Sequence, residues 1–337
     1  MSVLGRIGLI GLIGRIALAI LFITTPASAQ LLTSTPHGVV VAQENRIAIP
    51  GKWTAEGVAN PTTIVSSEQQ VVVLDALKNE AVIVDLATGR ANRTSTPETP
   101  IAAAFVGREV YILSRDARLL RHGRARIALT GDPSFLRTAN GRVYVYAPAA
   151  GVVEEISGDR VTRRISIAPF ASDFEISGTT AYLVYPRDAR VRTIDLGTMQ
   201  RGDEISVGAV PVDLAFAGGG TALTARVLAV ADPSAKRVWL AEGTQSLGKA
   251  IARGFVRGFL GLGLFGNRAS QFPTGVDRVE VRGNQWIAYD TSSGTLYHFT
   301  RKKSSVIAKN VPPGAFALTA DGVAWWNGTS VAQKRLR

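Results

Sequence analysis

The most regular stretch of the chain is residues 211–242, PVDLAFAGGGTALTARVLAVADPSAKRVWLAE. Pro211 opens it, residues 212–217 are largely apolar, and Gly218-Gly219-Gly220 supplies a turn. Residues 222–231 form a second apolar run, Asp232-Pro233-Ser234 turns again, and residues 237–241 return. Short apolar runs separated by Gly, Asp and Pro predict consecutive antiparallel strands joined by hairpins. The same unit recurs. Pro61, Pro100, Pro133, Pro169, Pro211, Pro273 and Pro313 each precede one, at spacings of 39, 33, 36, 42, 62 and 40 residues. Proline suits the start of a strand, where no ladder N–H is required.

Second strands rich in Val and Tyr are expected at residues 71–74, 110–113, 143–146, 181–185, 228–231, 286–289 and 323–326. Third strands are expected at 81–86, 118–121, 152–156, 191–196, 237–241 and 295–299. Many short strands at this spacing, with no helical period between them, predict an all-β fold, a β-propeller. The last unit has only 24 residues after Pro313, and the early strands 38–42 and 46–49 have no unit of their own. Joined, they make one blade with strands from both chain ends. This reading gives a seven-bladed propeller over 38–337, with six blades as the alternative and residues 30–37 as a flexible lead-in.

Residues 71–90, VVVLDALKNEAVIVDLATGR, resemble the YVTN and NHL type of propeller repeat, as do residues 193–216 and 227–240. The shared features are a strand ending near Asp, a second ending in [IV]-Asp-Leu, a Gly soon after, and a Pro opening the next blade. Residues 101–133 keep the strand pattern without the [IV]-Asp-Leu ending. The resemblance implies a fold and says little of activity.

The 62-residue interval holds an insertion, residues 245–272, which includes SLGKAIARGFVRGFLGLGLFGN. On a helix Leu247, Ile251, Phe255 and Phe259 share one face, while Lys249, Arg253 and Arg257 share another. Glycines crowd residues 258–266, and each costs a helix up to about 1 kcal/mol, so the helix is expected to end near Phe259 or Leu260. This amphipathic segment is read as a contact with a membrane or a partner protein, or else as a cap folded over one propeller face.

The remaining chemistry narrows the function classes. Arg6 and Arg15 are the only charges in the first 29 residues, residues 16–23 (IALAILFI) are apolar, and Ala27-Ser28-Ala29 precedes Gln30. This is the pattern of a signal peptide cut after Ala29, so the expected location is secreted or periplasmic, with a peripheral position at a membrane also open. The net charge is +12, and removal of the two arginines leaves about +10. For an exported protein such a charge favours a protein partner or an anionic membrane or envelope surface over nucleic acid. Basic clusters stand at Arg115-Arg118-Arg121-Arg124-Arg126, Arg160-Arg163-Arg164, Arg187-Arg190-Arg192 and Arg301-Lys302-Lys303. A monomer is expected. There is no cysteine, and the three histidines, His37, His122 and His298, have no ligand spacing. Residues 243–250 approach a phosphate loop, but Ala250 replaces the hydroxyl that would hold magnesium. No cofactor and no catalytic residue is assigned. Asp173, Asp213 and Asp277, two to four residues after blade-opening prolines, are the candidates for acids at the channel mouth. There they would serve a metal-dependent hydrolase, lactonase or lyase, or simply bond local backbone. The identity of any metal is left open.

Overall fold

Each hairpin predicted from the apolar runs forms, and the hairpins group into eight antiparallel sheets. The computed structural model describes residues 30–207, 210–217, 226–243, 270–282, 285–300 and 303–336. Blade 1 comprises β1 (Leu31–Thr35), β2 (Gly38–Gln43), β3 (Arg46–Ile49) and β4 (Trp53–Glu56). Blade 2 comprises β5 (Thr63–Ser66), β6 (Gln70–Asp75), β7 (Glu80–Asp85) and β8 (Ala91–Ser95). Blade 3 holds β9 (Pro100–Val106), β10 (Glu109–Ser114), β11 (Leu119–His122) and β12 (Ala125–Ala128). Blade 4 holds β13 (Phe135–Ala139), β14 (Arg142–Ala147), β15 (Val152–Ser157) and β16 (Arg160–Ser166). Blade 5 has β17 (Asp173–Ser177), β18 (Thr180–Tyr185), β19 (Arg190–Asp195) and β20 (Gln200–Ser206). In blade 6 are β21 (Asp213–Ala217), β22 (Arg226–Asp232), β23 (Arg237–Gly243) and β24 (Ser270–Gln271). Blade 7 follows with β25 (Arg278–Arg282), β26 (Gln285–Asp290), β27 (Thr295–Phe299) and β28 (Ser304–Ala308). Blade 8 has three strands, β29 (Phe316–Leu318), β30 (Gly322–Trp326) and β31 (Val331–Arg335).

The first strand of every blade lies against the first strands of its neighbours in a closed ring, from β1 through β5, β9, β13, β17, β21, β25 and β29 back to β1. These eight strands surround the axis. The second strands carry apolar residues at consecutive positions because both of their faces are covered. Val71, Val72, Val73 and Leu74 of β6 have no exposure at all. Burying one such side chain is worth roughly 1.5–3 kcal/mol. The core is therefore a set of inter-blade layers. One joins Val40 and Ile47 of blade 1 to Val73 and Leu86 of blade 2. Another joins Tyr144 and Tyr146 of blade 4 to Phe174 and Leu183 of blade 5. The layer that closes the ring packs Ile287 and Tyr289 of blade 7, Phe316 and Val323 of blade 8, and Leu32 and Val39 of blade 1.

The acids of the repeat motif shape these hairpins. Asp75 Oδ1 accepts hydrogen bonds from the N–H groups of Leu77 and Lys78, both at 3.0 Å. Asp85 Oδ1 accepts from Ala87 and Thr88, and Asp195 Oδ1 accepts from Thr198. The residue before the third strand has positive φ in seven blades: Asn45 55°, Asn79 55°, Arg118 50°, Gly151 61°, Ala189 52°, Lys236 52° and Gly294 61°. The repeat thus conserves a turn geometry round the ring, filled by different side chains.

Two expectations need correction. There are eight blades, not seven or six, and among the described residues no blade is built from strands of both chain ends. Residues 31–35, read as part of a flexible lead-in, are β1, the inner strand of a complete first blade. Their polar content hid the strand. Thr35 Oγ1 forms the turn instead, donating to Gly38 O at 2.8 Å and accepting from His37 N–H at 3.1 Å. Closure comes from contact between first and last blades, including the Leu32 N–H bond to Gly314 O at 3.0 Å. Gly314 is suited to this seam. Its φ is +76°, and a Cβ there would stand 2.8 Å from Leu31 Cδ2.

Candidate functional site: the axial channel and its mouth

Because the first strands ring the axis, their polar side chains meet there. Asp173, at the start of β17, is 5% exposed. Its Oδ1 accepts from Phe174 N–H at 2.8 Å, and its Oδ2 accepts from Leu214 N–H of blade 6 at 2.9 Å. Asp213 repeats the device one blade on, accepting from Val279 N–H of blade 7 at 2.7 Å. Each carboxylate therefore ties its blade to the next. Asp277 precedes β25 and stays within blade 7, where Oδ1 accepts from Thr291 N–H at 3.1 Å and Thr291 Oγ1 at 2.9 Å. The structure brings Asp173 and Asp213 into electrostatic contact and ties Asp277 to a hairpin.

Arg137 of β13 and Glu175 of β17 join this group. Arg137 Nη2 lies 2.6 Å from Glu175 Oε1 and 3.8 Å from Asp173 Oδ1. Burial, with the Glu175 charge adding to it, pushes the Asp173 carboxyl up to about 6 despite Arg137. Burial and then the Asp173 charge raise Asp213 well above the usual carboxylate range. Glu175 was legible in principle, two residues beyond Asp173 and so on the same side of its strand. Arg137 had no such signal, since it lies 38 residues from Glu175 and only the packing of blade 4 on blade 5 brings β13 beside β17. Further round, Arg282 Nη1 donates to Ser34 Oγ and Leu318 O at 3.1 and 2.9 Å, linking blades 7, 8 and 1.

A cavity of about 650 Å³ opens at the channel end that carries the turns after the first strands of blades 2 and 3. Its walls include Ser67, Glu68 and Gln69 of blade 2, Phe105 and Arg108 of blade 3, and Arg137 of blade 4. This volume suits a small ligand or a short polypeptide segment. Among the described residues, no three His, Cys, Asp or Glu side chains stand together in an arrangement that could hold a metal ion.

Many of the basic clusters are internally paired. Arg163 and Arg142 bond the fully buried Glu155, Arg164 bonds the buried Glu154, and Arg190 and Arg192 bond Glu204. Arg118 pairs with Asp132. His122 lies between Asp159 at 2.6 Å and Glu109 at 3.3 Å, stacked on Tyr111 at a 4.3 Å centroid distance. Sequence spacing could not show this, because Asp159 belongs to the next blade. Of the insertion, residues 270–272 are described. They supply β24 and the core residue Phe272. The contact candidates Leu247, Lys249, Ile251, Arg253, Phe255, Arg257, Phe259 and Leu260 lie outside the described residues, as do Gly218-Gly219-Gly220, the signal-like residues 1–29, and Arg301 and Lys302.

No family model and no curated protein matches the chain. Solved structures do. Streptogramin B lyase aligns at TM-score 0.58 and 12% identity, over 87% of this chain and 97% of that one. BamB from Moraxella catarrhalis aligns at 0.57 and 11%, over 91% and 97%. BBS1N in complex with ARL6DN aligns at 0.56 and 11%, over 81% and 86%. These likenesses are to the β-propeller fold, which a lyase and a protein complex share with this chain.

Proposed function

We propose that the protein is an exported, non-enzymatic propeller acting as a binding or assembly scaffold at a membrane or envelope surface. The observation that carries this reading is the use of the axial acids. Asp173 and Asp213 direct carboxylate oxygens at backbone N–H groups of the next blade, so they serve the ring. The mouth cavity, bordered by Glu68, Arg108 and Phe105, then offers a surface for a polypeptide partner. Solved neighbours that are protein complexes are consistent with such a partner. The signal-like N-terminus and the basic, apolar insertion support a surface location.

Two measurements test this reading. Residues 30–337 should pellet with anionic liposomes, and a variant with residues 247–266 replaced by a short Gly-Ser turn should not. If neither pellets, the membrane location fails. Melting curves with divalent metals and with chelator should coincide. A metal-induced rise that disappears in Asp213→Asn would support a metal-dependent hydrolase, lactonase or lyase instead.

A further inference from the structure

Among the described residues, seven sheets have four strands and the eighth has three. Strand β31 pairs with β30 in the register Gly322↔Arg335 to Trp326↔Val331, and no strand lies on its other side among the described residues. The phase of that ladder is set by its ends. Asn327 N–H bonds Ser330 O, and Leu336 N–H bonds Asp321 O. Even-numbered residues of this segment therefore turn their peptide groups toward β30, and the odd-numbered ones face outward. The open edge is the N–H and C=O of Val331, Gln333 and Arg335.

This edge is set back. The flanking blades both carry fourth strands, β28 and β4. The edge of β31 is thus recessed by about one strand width, ~4.8 Å. Half-buried Trp325, Trp326, Val331 and Leu336 of blade 8, with Ile307 and Ala308 of blade 7, pack against the core layer behind this edge. On the other wall, β4 packs Trp53 and Ala55 toward blade 2 and leaves Thr54 exposed, while Glu56 is drawn to Arg93 of blade 2 at 3.0 Å. The recess also has a basic side. Lys334 and Lys309 are exposed, and Lys334 stands near enough to His298 of blade 7 to add to burial in opposing its protonation.

We propose that blade 8 accepts its fourth strand from another polypeptide: an extended segment of a partner protein in which apolar residues alternate with carboxylates. Backbone pairing on β31 would supply affinity, and the alternate side chains would supply choice. Carboxylates match Lys334 and Lys309, whereas like charges directly opposite across a pair are unfavourable. The recess argues against a second copy of this chain docking by the same edge, because that edge is set back too. This surface is separate from the channel mouth, so the scaffold reading stands or falls on its own test.

The probe is a fluorescein-labelled Thr-Val-Glu-Val-Glu-Val-Thr peptide, with Thr-Val-Lys-Val-Lys-Val-Thr as control, titrated against residues 30–337 by anisotropy. The acidic peptide is expected to bind saturably and at least about tenfold more tightly than the basic one. Gln333→Pro removes the central outward N–H without touching the β30 ladder, and should weaken binding at least about tenfold with an unchanged melting curve. Lys334→Glu should reverse the charge preference. Hydrogen exchange should find the Val331, Gln333 and Arg335 amides unprotected in the protein alone and slowed by the acidic peptide. Absence of saturable binding would overturn the proposal, as would full binding by Gln333→Pro. Protection of those three amides before any peptide is added would also overturn it, since the edge would then already be covered by this chain or a second copy.

Discussion

Glu155 shows how a buried charge is made tolerable in a sheet. Its side chain is fully buried, and it accepts from Arg163 Nε at 3.0 Å, Thr162 Oγ1 at 2.8 Å and Tyr144 OH at 3.2 Å, with Arg142 also bonded. Burial works against the charge, but the hydrogen bonds from Arg163, Thr162 and Arg142 outweigh it and hold the carboxyl down at about 2. Because the folded value lies below the unfolded one, this group stabilises the fold above pH ~4.5, and that contribution is lost as pH falls toward ~2. Glu155→Ala should cost about 2–3 kcal/mol at pH 7 in urea unfolding, since it strands two guanidinium groups. It should also flatten the acid limb of the stability profile. Ala189 tests the opposite case. It holds φ 52° at a position where Gly151 and Gly294 do so without a Cβ. Ala189→Gly should stabilise by up to about 1 kcal/mol, and Gly151→Ala, whose Cβ would meet Ile167 O at 2.6 Å, should destabilise.

Among the elements, the first strands depend most on one another. Asp213 is raised by burial and by Asp173, and Asp173 is pushed to about 6. For acids raised on folding, the stability is fully present below the unfolded value near 4 and is lost as pH rises through the folded value. Wild-type protein should therefore melt lower at pH 8 than at pH 5 in so far as this pair governs. Asp213→Asn keeps an oxygen acceptor for Val279 N–H and removes the repulsion, so it should match or exceed wild type at pH 8 and show a smaller gain on acidification. Asp213→Ala should instead lose about 1–3 kcal/mol by orphaning that N–H. Differential scanning calorimetry at the two pH values separates these outcomes. Positions of second and third strands were readable because each is a hairpin partner of its sequence neighbour, and the second strands bury both faces. The partners of Asp173 and Asp213 were not, since Leu214 and Val279 lie 41 and 66 residues away.

In the whole molecule, stability rests on closing a ring of eight sheets, and the seam between blades 8 and 1 is where that closure is made. Gly314→Ala combines a positive φ with a 2.8 Å approach to Leu31. It should cost at least about 1–2 kcal/mol and speed hydrogen exchange in β1 and β29 before other blades. A uniform loss across all eight blades would show that the ring opens only as a unit.

The order of apolar runs and turns, read alone, determined an all-β chain of repeated hairpin units, because short continuous apolar runs and the Asp, Gly and Pro turns between them act over a few residues. It could not determine the number of blades. Leu31–Thr35 is polar enough to pass for a lead-in, and nothing local says whether β1 completes blade 8 or begins blade 1. The tertiary structure decided that, along with the pairing of Arg137 with Glu175, the inter-blade use of the axial acids and the open edge of β31. Each of these depends on how whole blades pack against one another, and that is set by contacts between sheets rather than by the pattern within any strand.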